Sequence, residues 1–167
     1  MPPALRLPVP LSPAELLTSS GSLTALLRLG CQQLRVQRLT EGVIPSNEAA
    51  ALGASGPLWQ RHVCLYGDDQ PWLLATTLAP QSQPALCAAL AALGDAPLGD
   101  WLFGVAEAHR LRLEPCTTAC PLPLPAGAKG CYWGRRSLFT TRFGSPLLVS
   151  EWLLDSYPQG EGRHDAL

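Results

Sequence analysis

The chain has 167 residues, of which 47% are apolar and 15% charged, and its formal net charge is −1. This composition excludes an intrinsically disordered chain, and the length predicts one domain with a sizeable core. The balanced charge, with no dense Lys/Arg patch, argues against a nucleic-acid partner. No apolar run could span a membrane and the proline-rich start is unlike a secretory signal, so we predict a cytoplasmic protein.

The first predicted elements are an extended arm and two short helices. Residues 1–11 are rich in proline and form the arm. Residues 12–15, Ser-Pro-Ala-Glu, predict a helix start with a capping box. A second helix, around Leu23, is predicted to end at Gly30.

Six later segments have the residue content of β-strands. The first is QQLRVQRL, and the next two, LWQRHVCLYG and PWLLATTLAP, form a hairpin around DDQ. AHRLRLEP is a fourth strand, with Leu111 and Leu113 in phase. CYWGRRSLFTTRF and SPLLVSEWLL form a second hairpin that turns at Gly144. Between these strands, SNEAAALG predicts a short helix or turn, QPALCAALAALG an alanine-rich helix, and APLGDWLFG a loop with a short helix.

This order of elements predicts an α+β fold, with a single six-stranded antiparallel sheet and helices packed on one face. The domain is predicted to span residues 12–158, and residues 159–167 form a polar tail. A proline-rich loop, CTTACPLPLPAGAKG, precedes the second hairpin. The sequence contains no internal repeat and no nucleotide-binding glycine motif.

The six cysteines allow disulfides by number, but no export signal supports them. Cys116, Cys120 and Cys131 lie around the proline-rich loop, without the CxxC spacing or the nearby histidines of a metal site. We therefore predict reduced thiols that pack as small hydrophobic residues, and neither a metal site nor a cofactor site.

Two charged residues fall in the apolar rows of predicted strands. Arg61 is in phase with the apolar residues of LWQRHVCLYG, and Glu151 with those of SPLLVSEWLL. Because an isolated ion is costly to bury, they could form a buried ion pair without a ligand, or both could reach water on an open face. Alternatively, both border a ligand cavity, where Arg61 binds a carboxylate and Glu151 binds a hydroxyl or acts as a base.

Three segments, in the same order, carry a family resemblance. They are LWQRHVCLYGDDQPWLLATTLAP, LGDAPLGDWLF and YWGRRSLFTTRFGSPLLVSEWLL, and the similarity covers roughly residues 58–158. These segments resemble the chorismate pyruvate-lyase family. The resemblance implies a chorismate lyase-like fold with a ligand enclosed under helical flaps. It also implies conversion of chorismate to 4-hydroxybenzoate and pyruvate for ubiquinone or plastoquinone biosynthesis, without a cofactor.

The resemblance also implies site residues. It places the family's carboxylate-binding arginine at Arg61 and its hydroxyl-contacting glutamate at Glu151, which are the expected catalytic residues. Further contacts with substrate and product fall on Leu98 and on Leu23, the latter a methionine in the best-known members. Thr76 stands where some members carry an arginine, so the resemblance does not extend to a second cationic contact near the entrance.

Arg135 and Arg136 are adjacent in a predicted strand, so their side chains face opposite sides of the sheet. At most one of them can look into a cavity, where it would face the pyruvyl carboxylate of chorismate. The alternative for either one is a solvated surface arginine.

Two other functions remain open from the sequence. One is a non-catalytic sensor or binding domain for a small aromatic acid, because effector domains of a family of bacterial helix-turn-helix repressors resemble the same fold; the sheet begins too early here for a DNA-binding module ahead of it. The other is a partner-binding scaffold that uses the proline-rich arm and the PLPLP loop. The preferred partners are chorismate and 4-hydroxybenzoate, bound by a monomer.

Overall fold

The computed structural model describes residues 10–45, 52, 56–116, 119–120 and 122–159. The elements in chain order are α1 (Pro13–Leu17), α2 (Leu23–Leu29), β1 (Leu34–Ile44), β2 (Leu58–Gly67), β3 (Gln70–Pro80), α3 (Pro84–Ala91), α4 (Leu98–Phe103), β4 (His109–Cys116), β5 (Cys131–Thr140) and β6 (Pro146–Leu154). The predicted arm, the polar tail and the SNEAAALG segment lie almost wholly outside the described residues, so the domain limits of 12–158 stay a prediction.

The six strands form one antiparallel sheet in the order β1-β2-β3-β6-β5-β4. Strands β1 to β3 form one up-and-down unit, and β4 to β6 form a second. The two units join where β3 pairs with β6, with Leu73 opposite Leu153 and Leu78 opposite Leu148. The α+β class and the single six-stranded sheet predicted from the sequence are therefore confirmed.

The helices cover one face of the sheet, which we call the inner face. Under α1 and α2, Leu16 and Leu27 pack against sheet residues that include Leu73 and Leu153. A second cluster lies under α3 and α4, where Leu86, Leu90 and Leu102 contact Phe139, Leu147 and Val149. Burial of these apolar faces, rather than helix propensity, holds helices this short in place.

The opposite face carries a separate apolar cluster. Trp152, Leu74 and Cys64 are buried there, with Cys120 and Leu122 of the loop after β4 packed against them. None of the six cysteines forms a disulfide, and burial raises the pKa of Cys64 to about 11. Over the described residues, no helix has the length and apolar character needed to cross a membrane.

The predicted start of the first helix is confirmed in detail. Ser12 Oγ accepts a hydrogen bond from the Glu15 backbone N–H at 3.2 Å, and Glu15 Oε2 accepts one from the Ser12 N–H at 2.9 Å. This is the reciprocal capping box that the residue spacing predicts. The second helix ends at Gly30, as expected.

In β4, the predicted alternation of side chains, with Leu111 and Leu113 in phase, is wrong. Leu111, predicted to be in phase with Leu113, is 60% exposed. The pairing of β4 with β5 shifts between Arg110 and Arg112, so the alternation of side chains breaks at that point. Such an irregularity is common on an edge strand, and here it leaves Arg110 on the inner face beside Phe139.

Candidate functional site

A small, partly open cavity of about 40 Å³ lies between the inner face and the helices. Residues of α2, α4, β4, β5 and β6 line it, and three of the four predicted site residues, Leu23, Leu98 and Glu151, are among them. Its volume suffices for a water molecule but is well below that of a typical ligand pocket. A ligand with a ring can therefore enter only if the helical cover moves.

Two larger hollows lie elsewhere. One, of about 760 Å³, follows the edge strand β1, and the other, of about 430 Å³, lies on the opposite face under the loop after β4. Neither is lined by Arg61 or Glu151. We place the candidate site in the smaller cavity because it alone among these three contains a buried ion pair.

Glu151 forms an ion pair with Arg135, which lies directly opposite it on β5. The Arg135 Nε donates to Glu151 Oε1 at 3.0 Å, and the arginine and glutamate are 1% and 9% exposed. The alternative in which Glu151 pairs with Arg61 is therefore wrong. The open-face alternative is also wrong, because Arg61 too is only 1% exposed.

Arg61 holds the loop that leads into α4. Its Nη2 donates to the carbonyl oxygens of Gly94 and Ala96, each at 3.0 Å, and its Nε lies 3.5 Å from Glu41 Oε1. Burial lowers the pKa of Arg61, and the Glu41 carboxylate opposes that shift. Arg61 does not line the cavity. However, Ala96 precedes the cavity residue Leu98 by two positions, so the Arg61 guanidinium lies near the end of the cavity that Leu98 borders.

The sheet register places Arg61 and Glu151 on the same face. Arg61 is opposite Thr77 on β3, which is opposite the cavity residue Val149 on β6. Glu151 lies two strands across from Arg61 and two residues along, so their Cα atoms are about 12 Å apart. Two buried groups of opposite charge thus flank one stretch of apolar sheet, an arrangement that suits a rigid anion with a polar group at its far end.

Two arginines tie the α1–α2 connection down over the cavity. Arg135 Nη1 donates at 3.1 Å to each of the carbonyl oxygens of Leu16, Leu17 and Ser19. These bonds join carbonyl groups at the end of α1 and just after it to the sheet, although the Leu16 carbonyl also accepts a hydrogen bond from the Ser19 backbone N–H. Arg110 donates to the carbonyl oxygen of Ser20 in the same connection.

As predicted, only one of the two adjacent arginines faces the cavity. Arg135 lines it, whereas Arg136 lies on the opposite face beside Glu114. Arg110, which also lines the cavity, is a residue that sequence reasoning missed. The alternation of side chains in β4 did not indicate that Arg110 faces the cavity, because the pairing of β4 with β5 shifts at this residue.

Thr76 does not border the cavity. It lies on the opposite face, where its Oγ1 is 2.8 Å from Nδ1 of His62, and burial lowers the pKa of that imidazole. An arginine at this position, as in some family members, would therefore not border the cavity. Within the described ranges, no group of three or more His, Cys, Asp or Glu side chains could hold a metal ion.

Helices α2 and α4 meet at the outer end of the cavity. A Cβ added at Gly99 would lie 2.6 Å from Ser22 Oγ and 2.8 Å from Thr24 Oγ1, so the two helices approach each other as closely as glycine permits. Nearer the surface, Arg28 donates to both carboxylate oxygens of Asp100, at 2.9 and 3.3 Å. This pair links the two helices that close over the cavity.

Comparison with solved structures places the fold among ligand-binding domains of bacterial regulators. The effector domain of PhnF from Mycobacterium smegmatis superposes with a TM-score of 0.58 at 15% identity, covering 83% of this chain and 91% of that one. The ligand-binding domain of a putative GntR-family regulator from Bordetella bronchiseptica gives 0.52 at 14% identity, covering 74% and 83%. At such identities the likeness concerns the fold alone.

Comparison of sequences is more specific. A chorismate pyruvate-lyase from Sodalis glossinidius is 39% identical over 147 residues, which cover 85% of this chain and 77% of that protein. A probable chorismate pyruvate-lyase from Shewanella amazonensis is 38% identical over 154 residues, covering 84% and 78%. The family model described as chorismate lyase matches residues 4–159. The chain therefore belongs to the chorismate lyase family.

Proposed function

We propose that this protein is a chorismate pyruvate-lyase that converts chorismate to 4-hydroxybenzoate and pyruvate. The observation that carries the proposal is the family match over nearly the whole chain. The buried Arg61 and Glu151, which flank apolar sheet on the covered face, support it because chorismate is a ring with a carboxylate at one end and a hydroxyl at the other.

The reaction is an elimination that makes the ring aromatic. The bond between ring carbon 3 and the enolpyruvyl ether oxygen breaks, and ring carbon 4 loses its proton while keeping its hydroxyl. The departing enolpyruvate takes up a proton on its methylene carbon and becomes pyruvate, so protons and electrons balance. Because aromatisation drives the reaction, positioning of the reactive conformer supplies a large part of the catalysis.

In this proposal Arg61 binds the ring carboxylate and Glu151 contacts the hydroxyl on carbon 4. Arg61 can do so by exchanging its carbonyl partners in the 94–96 loop for the stronger carboxylate acceptor. From its contact with this hydroxyl, the Glu151 carboxylate would orient the ring or accept the proton of carbon 4. Leu23 and Leu98 form the apolar walls.

We further propose that the enzyme acts without a cofactor, as a cytoplasmic monomer on a pathway to ubiquinone or plastoquinone. The elimination changes no net oxidation state, so it requires no redox group.

Asp100→Asn is expected to raise kcat by up to about fivefold. The substitution weakens the exposed pair between α2 and α4, and such pairs contribute about 0.2–1 kcal/mol. Since the cavity is too small for a ring-containing ligand, we propose that opening of this cover limits product release. Steady-state turnover of chorismate measures the effect. Asp69→Asn, which removes a remote and 86% exposed carboxylate, is the control, and an unchanged or lower kcat for Asp100→Asn would contradict control by this contact.

The proposed function is tested by incubating the purified protein with chorismate. The formation of 4-hydroxybenzoate and pyruvate in equal amounts is the expected result, followed by absorbance and by a pyruvate-coupled assay. Tight binding of 4-hydroxybenzoate without turnover would instead identify a non-catalytic binding domain. Absence of both turnover and binding would overturn the assignment of this cavity as the site.

A further inference from the structure

The cavity carries an excess of positive charge. Two guanidinium groups, of Arg110 and Arg135, and one carboxylate, of Glu151, border it. Two of the nitrogens of Arg135 are occupied, Nε by Glu151 and Nη1 by carbonyl oxygens of the α1–α2 connection. Its third nitrogen, Nη2, is buried and has no hydrogen-bond partner among the described residues. A buried donor of a cation without an acceptor is costly, so this side of the cavity favours an anion.

Arg110 lines the same cavity as Arg135. Its Nε donates to Ser137 Oγ at 3.2 Å, and its guanidinium stacks over the Phe139 ring at 4.9 Å. Burial and the neighbouring Arg135 lower the pKa of Arg110, while Glu151 opposes the shift. Because two cations share this end with one carboxylate, the end retains a positive charge that Glu151 cannot neutralise alone.

Chorismate has a second anionic group that could bind at this positively charged end of the cavity. Its second carboxylate belongs to the enolpyruvyl chain on carbon 3, adjacent to carbon 4 with the hydroxyl and remote from the ring carboxylate on carbon 1. If Arg61 holds the ring carboxylate and Glu151 the hydroxyl, the second carboxylate must lie on the Glu151 side. That side continues from Glu151 to Arg135 on the next strand and then towards Arg110 on the edge strand.

We propose that Arg110 and the Nη2 group of Arg135 form the subsite for the enolpyruvyl carboxylate. The proposal rests on the proposed lyase function and assigns the specificity for chorismate to residues other than Arg61. The product 4-hydroxybenzoate lacks this carboxylate, so it makes no use of the subsite. The subsite thus separates substrate recognition from product recognition within one cavity.

The separation gives a test with two readouts. Arg110→Gln is expected to raise KM for chorismate at least about tenfold, because a charge-assisted hydrogen bond is lost. Its Kd for 4-hydroxybenzoate, measured by calorimetry, is expected to change less than about threefold, since the product does not reach the subsite. Arg110→Lys, which keeps the charge but loses the planar fork, should give an intermediate KM. Arg112→Gln, on the same strand with a 66% exposed side chain, is the matched control and should leave both values unchanged.

The outcomes discriminate between the two proposals. A normal KM in a folded Arg110→Gln protein, or equal weakening of chorismate and 4-hydroxybenzoate, would overturn the subsite and leave the lyase function standing. If Arg110→Gln does not fold, a KM for Arg110→Lys equal to that of the unaltered protein would overturn it. No turnover of chorismate by the unaltered protein would overturn both.

Discussion

Glu151→Gln is expected to lower kcat/KM for chorismate by about 100-fold or more. The glutamine keeps the shape of the side chain and can still accept a hydrogen bond from Arg135 through its amide oxygen. It loses the charge that would receive the proton of carbon 4, and general-base catalysis contributes about 10² to 10⁴ in rate. Initial rates of 4-hydroxybenzoate formation measure the effect.

Glu114→Gln is the matched control, because Glu114 pairs with Arg112 at the surface and lies outside the cavity. It should retain normal turnover. A loss confined to kcat in Glu151→Gln would indicate a role in proton transfer, whereas a rise in KM alone would indicate binding of the hydroxyl. Arg61→Ala is expected to lose most turnover and also to weaken 4-hydroxybenzoate binding. Near-normal turnover in both variants, each shown to be folded, would refute the proposed roles.

Arg135→Met should lower the free energy of unfolding by about 3–5 kcal/mol. The substitution leaves the buried Glu151 carboxylate without its cation, and removal of one partner of a buried pair has a cost of this size. It also removes the hydrogen bonds from Arg135 to the carbonyl groups of Leu16, Leu17 and Ser19. Urea denaturation followed by tryptophan fluorescence gives the value.

The double variant Arg135→Met with Glu151→Gln separates the two causes. It should recover part of the loss, because no uncompensated charge remains buried. The part of the unfolding free energy that is not recovered measures the hydrogen bonds between Arg135 and the end of α1. Arg112→Met, at an exposed position, should cost less than about 1 kcal/mol. An Arg135→Met protein as stable as this control would contradict the role of the buried pair.

The parts of the fold that depend on neighbouring residues could be predicted from the sequence. The capping box at Ser12 and the turn at Gly144 are signalled by residues within a few positions of each other. The six strands and the helices between them followed from local alternation and composition. The irregular pairing near Arg110 could not be predicted, because it depends on how the edge strand β4 fits its neighbour.

The sequence pointed to three residues that line the candidate cavity, but not to Arg110 or to all of the partners of these residues. Leu23, Leu98 and Glu151 line one cavity, and Arg61 lies on the same face. The partner of Glu151 could have been found from the second hairpin alone. Thr140 pairs with Pro146 next to the turn, and the same register carried along the strands places Arg135 opposite Glu151. The contacts of Arg61 with the 94–96 loop depend instead on how that loop folds over the sheet, which no local pattern encodes.

The junction of β3 with β6 has a consequence for how the protein acquires its activity. Arg61 belongs to the first half of the chain, whereas Glu151 and the two cavity arginines belong to the second. The pairs that join the halves link residues as distant along the chain as Leu73 and Leu153. Contacts of this range form late and slowly, because they must overcome a large loss of chain entropy. In the proposed site, neither half alone holds both ends of a ligand, so we expect binding only when the two halves of the polypeptide have met.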